Sequence, residues 1–381
     1  MRRSDLSRRP LTGAHRRVAR EVLTQGPVSR SELARRLGLS RASLTRLTKP
    51  LIEDGFFVEA QVRREERTGR LVRPLDVAGR QHFVGVNLTG HDLTAVVTTV
   101  RAGTVASTHA ALDGTDPAAV VDRIRDVTTA LAHDAGNVIG LGVSLGGHVR
   151  DHRVVTRAPF LGWTGEVRLG ALLEEATALP TVVDNDLQAL TRAQHWFGAG
   201  NAHRHFAVLT IGAGVGCGLV VHDQVVESSD AGVGLVGHHP LDPLGPVCAQ
   251  GHRGCAEAML TTASLCARMS AATHHRVTYD DFVALAAGGD PAATPIAAEA
   301  GRALGRLIAA VANISMAQRI ILTGEGVGLV AVARAHVDRA VSRDRDPAAA
   351  ALDIVVQPSD FTQWARGAAV IAIQTHVLGT A

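Results

Sequence analysis

Apolar residues recur every three to four positions through the first fifty residues, and the punctuation between those runs is that of short helices. Residues 11–24 place Val18, Val22 and Leu23 at helical spacing, with Arg16, Arg17 and Arg20 elsewhere around the turn. Gly26-Pro27 ends that helix. Ser29-Arg30-Ser31-Glu32 has the form of a capping box and opens a second helix with Leu33, Ala34 and Leu37 inward. Gly38 is the turn glycine. Ser40 caps a third helix, residues 41–54, with Leu44, Leu47, Leu51 and Ile52 buried and Gly55 as its stop. Residues 56–58 and 71–73 then read as two strands around a basic turn at 63–70. Helix, glycine turn, helix and β-wing predict a winged helix-turn-helix over residues 1–80.

From Gln81 the period shortens. Strands are predicted at 82–88, 93–100 and 104–110, a helix at 116–133 and a buried strand at 138–145. A similar run starts at His205: a strand at 206–211, a glycine turn at Gly212–Gly218 and a strand at 219–221. Both runs open on His-Phe, and their order of elements predicts a duplicated α/β architecture. A last helix, residues 360–379, carries Trp364, Ala368, Val370 and Ile371.

Charge separates the same two regions. The net charge of +3 over 381 residues hides 19 Lys+Arg against 9 Asp+Glu in residues 1–80, and 20 against 27 in the rest. The third predicted helix sets Ser40, Arg41, Ser43, Thr45, Arg46 and Lys49 on its polar side, and Arg70 beside Gly69 stands at the wing tip. Short donors and arginine forks near a helix N-terminus suit base edges and phosphates of a major groove, and Arg70 suits a minor groove or phosphates. The partner read from this is a double-stranded DNA operator. No run reaches ~18 uncharged apolar residues, so no membrane span is expected. No apolar stretch follows the basic start, so no secretory signal is expected. Four cysteines in 381 residues suit a reducing, cytoplasmic compartment rather than a disulfide scaffold.

Six segments resemble the ROK family, whose name joins repressor, open reading frame and kinase. Gly142-Val143-Ser144-Leu145-Gly146-Gly147 is similar to its G-I-S-x-P-G, and Val183–Leu190 to its E-N-D-A-N-A-A segment. Gly212–Gly218 resembles G-T-G-x-G-x-G, and Val236-Gly237-His238 the end of G-E-x-G-H. Cys248–Glu257 resembles C-x-C-G-x-x-G-C-x-E, and Ile320–Gly326 the late I-V-L-G-G-G strand. The resemblance covers the whole chain. It implies an α/β fold: a winged helix-turn-helix at 1–80, then a two-lobed domain of the actin-like, ribonuclease-H-like kind. The lobes would span 81–195 and 196–359, with the helix at 360–379 packing back on the first.

The same resemblance implies a homodimeric transcriptional regulator, a repressor of carbohydrate genes whose kinase-like domain senses a sugar or sugar phosphate. Asp186 matches the family's catalytic base and is taken as a relic of it. Asn185, Asp186, His238 and Glu257 match its sugar contacts, while Phe160 and Leu235 stand where polar contacts are expected. Read without the family, Asp184 and Asp186 are a helix N-cap pair. The first phosphate loop of family kinases, D-x-G-G-T-K, is Asn87-Leu88-Thr89-Gly90-His91-Asp92 here. Asn87 removes a carboxylate, Thr89 adds bulk where backbone must approach phosphate, and His91 departs as well, so no enzyme and no ATP are expected. A sugar kinase with an added DNA-binding domain, or a regulator whose second part is only a dimerisation scaffold, are the alternatives. The family's structural zinc would find His238, Cys248 and Cys255 here, with Gln250 in place of the middle cysteine and His252 as a substitute two residues on. Trp163 reads as packing, and Cys217 and Cys266 as small buried residues.

Overall fold

The structure is a computed structural model that describes residues 11, 13–64, 69–228, 230, 232 and 234–379. Two compact units emerge: one takes the chain up to Ala189 together with the stretch from Thr362 onwards, the other Leu190–Phe361.

The first unit opens with the predicted helices. Helix α1 (Gly13–Gln25) buries Val18, Ala19, Val22 and Leu23. Ser29 caps α2 (Arg30–Leu37) by accepting from the Glu32 amide. The Glu32 carboxylate takes hydrogen bonds from Arg35 (3.0 Å) and Arg36 (2.7 Å), which lower its pKa to about 2. Gly38, at φ 64°, turns the chain, and Ser40 caps α3 (Arg41–Glu53) through the Ser43 amide. The inner face of α3 is Leu44, Leu47, Thr48 and Leu51. Thr48, not the expected Ile52, takes the fourth place, because 44, 47, 48 and 51 complete one helical stripe and Ile52 lies beside it.

The wing is two ladders rather than one. β1 (Phe57–Glu59) pairs with β4 (Leu75–Val77), and β2 (Arg63–Arg64) with β3 (Leu71–Val72). The sequence placed the return strand at 71–73 and missed Leu75–Val77. Pro74 lacks the amide that would continue a ladder, so pairing restarts after it. The middle of the predicted wing tip, residues 65–68, lies outside the described residues.

The first lobe follows the predicted order: β5 (His82–Leu88), β6 (Asp92–Thr99), β7 (Thr104–Ala111), α4 (Pro117–Ala135) and β8 (Val138–Leu145). After the β9 (His148–Arg150) and β10 (Val154–Arg157) hairpin come α5 (Leu169–Thr177), β11 (Thr181–Asn185) and α6 (Asp186–Phe197). The sheet runs β11-β8-β5-β6-β7. Its β5–β6 pair is antiparallel, and β8 and β11 continue it in parallel. One face buries Val84, Val86, Leu141 and Val143 with Val120 and Ile124 of α4. The other face meets the chain's last helix.

The second unit repeats that plan. β12 (Phe206–Ile211) is central, with β13 (Val215–Val221) antiparallel to it and β14 (Gln224–Val225) beyond. On the other side β15 (Arg319–Thr323) and β16 (Asp353–Val356) run parallel. Helices α7 (Ala256–Leu260), α8 (Thr262–Thr273), α9 (Tyr279–Ala287), α10 (Ala293–Ser315) and α11 (Gly328–Asp344) supply its cover. The predicted glycine turn is shorter than expected. Only Gly212-Ala213-Gly214 turns, and Gly216 and Gly218 stand in β13 opposite Thr210 and Val208. A Cβ on Gly218 would stand 1.9 Å from the Thr191 hydroxyl oxygen, so this glycine serves close packing.

The chain ends in α12 (Phe361–Leu378), which belongs to the first unit from Thr362 on and buries Ala365, Ala368, Ala369 and Ile373. It lies directly on glycines of the sheet. A Cβ on Gly85 would come 2.1 Å from the Ala365 carbonyl oxygen, and one on Gly142 1.8 Å from that of Ala368. Neither neighbour is a flexible side-chain end, so Gly142→Ala should cost about 3 kcal/mol or more in urea unfolding. A loss below about 0.5 kcal/mol would contradict this seating.

Candidate functional site

On α3, Arg41, Thr45, Arg46 and Lys49 are exposed, Ser43 is half-exposed and Ser40 sits at the N-terminal cap, opposite the buried stripe. Thr45 returns its hydroxyl to the Arg41 carbonyl (2.9 Å), and Lys49 stands 3.8 Å from Glu53 with both side chains in solvent. Among the described residues, neither Arg41 nor Arg46 has an ion-pair partner. The arginines around them do: Arg35 and Arg36 bond Glu32, and Arg30 and Arg73 bond Glu59 (2.8 and 3.3 Å). Charge that is paired within the fold is of little use to an outside anion, so Arg41 and Arg46 stand as available cations on α3, near its positive N-terminal end. Arg70 is exposed on the wing, where Arg64 bonds the Gly69 carbonyl (3.2 Å).

In the first lobe, β11 delivers Asn185 to the start of α6. Its amide nitrogen donates to the Gly147 carbonyl (2.9 Å), and its oxygen accepts from the Leu187 and Gln188 amides (3.1 and 3.2 Å). Asn185 is therefore the capping residue that the sequence assigned to its acidic neighbours. Asp186 accepts from the Leu187 amide (2.7 Å), and Asp184 lies 3.5 Å from His152. A Cβ on Gly146 would meet Phe160 at 2.8 Å and the Asp186 carboxylate at 3.4 Å. Phe160, still 57% exposed, and Asp186 thus approach the same glycine. Trp163 is buried in the lobe's core and donates its ring N–H to Thr115, which accounts for it as packing.

The first loop closes on itself. The Thr89 hydroxyl accepts from the His91 and Asp92 amides (3.3 and 3.0 Å) and donates to the Asp92 carbonyl (3.1 Å). Asn87 is buried and donates to the Ser144 hydroxyl (3.1 Å), tying β5 to β8.

In the second unit, His238 and Glu257 come together at 3.6 Å, while Leu235 is 68% exposed. His238 Nδ1 is also 3.9 Å from Cys248 Sγ and 4.0 Å from Cys255 Sγ. A turn closed by the Gly251 amide on the Cys248 carbonyl brings His252 Nδ1 to 3.6 Å from Cys248 Sγ. His238, Cys248 and His252 form a cluster of donors within 4.8 Å of one another. Tetrahedral bonds of 2.0–2.3 Å set their corners about 3.3–3.8 Å apart, so these two imidazoles and the Cys248 thiol have the right chemistry and nearly the right spacing for a zinc-like ion, with Cys255 standing by His238 outside that cluster. Gln250 is exposed, as its poor ligand chemistry allows. Cys217 and Cys266 are half-buried rather than buried, and desolvation of Cys217 pushes its thiol up to about 12.

Two further side chains fill the glycine elements of this unit, and sequence reasoning passed over both. A Cβ on Gly212 would stand 2.0 Å from the Glu325 carboxylate, which therefore lies over the Gly212 turn. Tyr279, the chain's one tyrosine, donates its hydroxyl to the Gly326 carbonyl (2.5 Å) and accepts from the Leu329 amide (2.9 Å), occupying the start of α11. Burial pushes its hydroxyl up to about 12. Glu325 was visible as the one acidic residue in a motif where glycine is expected.

A winged helix-turn-helix is followed by two lobes of matching five-stranded sheets, a sugar-kinase-like fold. Residues 83–375 match the ROK family, and the chain belongs to it. The DNA-binding transcriptional dual regulator NagC of Escherichia coli (strain K12) is 27% identical over 81% of this chain and 79% of its own length. The DNA-binding transcriptional repressor Mlc of the same strain is 25% identical over 80% and 79%. In solved structures, a ROK family transcriptional regulator, a homologue of the E. coli Mlc protein, matches with a TM-score of 0.79, 23% identity, and coverage of 96% of this chain and 97% of that one. A ROK hexokinase from Thermus thermophilus matches at 0.66 and 22%, over 77% of this chain and 98% of its own. No helix among the described residues is long and apolar enough to cross a membrane.

Proposed function

We propose that this chain is a cytoplasmic DNA-binding transcriptional regulator, a repressor of carbohydrate-related genes that acts as a homodimer on a two-half-site operator. The observation that carries the reading is the face of α3, where, among the described residues, Arg41 and Arg46 stand without ion-pair partners while Arg30, Arg35, Arg36 and Arg73 are paired with Glu32 or Glu59. Relatives named as DNA-binding regulators, and a similar fold over nearly the whole chain, support it. The effector is a sugar or sugar phosphate, for which the resemblance to the family implies Asn185, Asp186, His238 and Glu257 as contacts. Its binding shifts the population of dimers between arrangements that do and do not match half-site spacing.

Catalysis is not part of this reading. Phosphoryl transfer needs open glycine turns and a metal-holding carboxylate. Here Thr89 closes the first turn, Asn87 is neutral, and the Glu325 carboxylate lies over Gly212, where it would repel a phosphate. Zinc would be held by His238, Cys248, His252 and Cys255, and its contribution there is structural: it cross-links the loop after Pro240 to the start of α7.

Operator DNA selected from a random pool tests the reading of α3. Arg41→Ala with Arg46→Ala should lower affinity at least about tenfold, since each base contact is worth about 1–3 kcal/mol. Arg70→Ala should reduce the salt slope by about one if it meets phosphate. Unchanged affinity in the arginine pair would refute this docking. Metal analysis tests the zinc: about one ion per chain is expected, retained less well against a chelator in His252→Ala. Less than about 0.1 zinc per chain would contradict the four-ligand site.

A further inference from the structure

Two arginines join the DNA-reading head to the first lobe, and each does so at the C-terminal end of a helix. Arg101, at the tip of the β6–β7 hairpin, donates to the Val22 carbonyl (2.9 Å) and to that of Gly26, at the end of α1, and also bonds the Asp76 carboxylate on β4. Arg16, on α1, donates to the Leu378 and Gly379 carbonyls (3.2 Å each) at the end of α12. Carbonyls at a helix C-terminus lack partners inside the helix and carry its negative end, so a guanidinium there meets both needs. The hairpin tip is itself tied to α12: Arg366 donates to the Ala102 carbonyl (2.7 Å).

We infer that Arg101 and Arg16 are positioning residues that mount the winged helix-turn-helix on α12 at two points, and so set the direction in which α3 is presented. Arg366 and Leu378 are twelve residues apart on α12, or about 18 Å at 1.5 Å per residue. One attachment would leave the head free to swivel; two that far apart hold its orientation. The base of the mount is rigid, because α12 sits on Gly85 and Gly142 with no side chain between. It also lies near the effector side. β8 carries the chain from Gly142 to Leu145, and two residues on the Gly147 carbonyl holds Asn185. A shift of β8 against α12 therefore reaches the head through these two arginines and needs no change inside the head.

This inference rests on the dimeric DNA-binding reading above, and the test separates the two. Arg101→Gln, Arg16→Gln and the double variant are compared with the parent chain on selected DNA carrying two half-sites or one. Rigid presentation raises the effective concentration of the second head, so the double variant should lose about tenfold or more on paired half-sites and keep its affinity for a single half-site. Small-angle scattering of the DNA-free double variant should show a broader distribution of distances, with the amides of β5 and β8 as protected from hydrogen exchange as in the parent. Equal losses on both DNAs would assign the arginines to DNA contact or to the head's own stability, and overturn the mount. Unchanged affinity ratios, or unchanged scattering, would overturn it too. Scattering needs no DNA, so it reports on the mount even if the operator reading fails.

Discussion

The seat of α12 on β5 and β8 is the contact on which the first unit depends. Gly85 and Gly142 leave no room for even a methyl group, so helix backbone rests on strand backbone. Close-packed interfaces of this kind do not deform smoothly; they shift as bodies. The arrangement requires that α12 return to the first lobe, which is why the stretch from Thr362 onwards belongs with a lobe begun nearly three hundred residues earlier. It also makes α12 a shared floor: its one side faces the strands that lead to Asn185 and Asp186, and its end meets Arg16 of the DNA-reading head.

On that frame, the features of a phosphotransferase are filled in rather than deleted. The glycine turns persist, but their free space is taken by the chain's own groups: Thr89 in the first, Glu325 in the second, Tyr279 at the start of α11. Asn87 keeps the shape of a carboxylate without its charge and spends it on Ser144. Phe160 brings its ring to Gly146, which Asp186 also approaches. Each change is local, and together they support the reading of this domain as one that recognises rather than reacts.

Much of this was legible in the sequence. The helices of the head followed from capping residues and apolar spacing, because those signals are local. The duplicated lobes followed from a repeated order of strands around glycine turns. Three features escaped for one physical reason: they are set by tertiary contact. Thr48 rather than Ile52 is buried because the stripe on α3 is fixed by what packs against it. The base of the wing pairs Leu75–Val77 because Pro74 interrupts the ladder. Gly218 belongs to a strand because Thr191 presses on it, which no local pattern records. The candidate site divides likewise. Asn185, Asp186, His238, Glu257 and the cysteine loop came from the resemblance to the family's motifs, whereas Glu325 over Gly212 and Arg101 against α1 join residues more than 70 positions apart.

The central claim is that this kinase-like chain serves to read DNA. Genome-wide occupancy of the untruncated protein in its own cells tests it most directly. The account predicts enrichment at a small set of loci that share a sequence of two related half-sites, with genes of carbohydrate use beside them. Occupancy no different from an untagged control would contradict it.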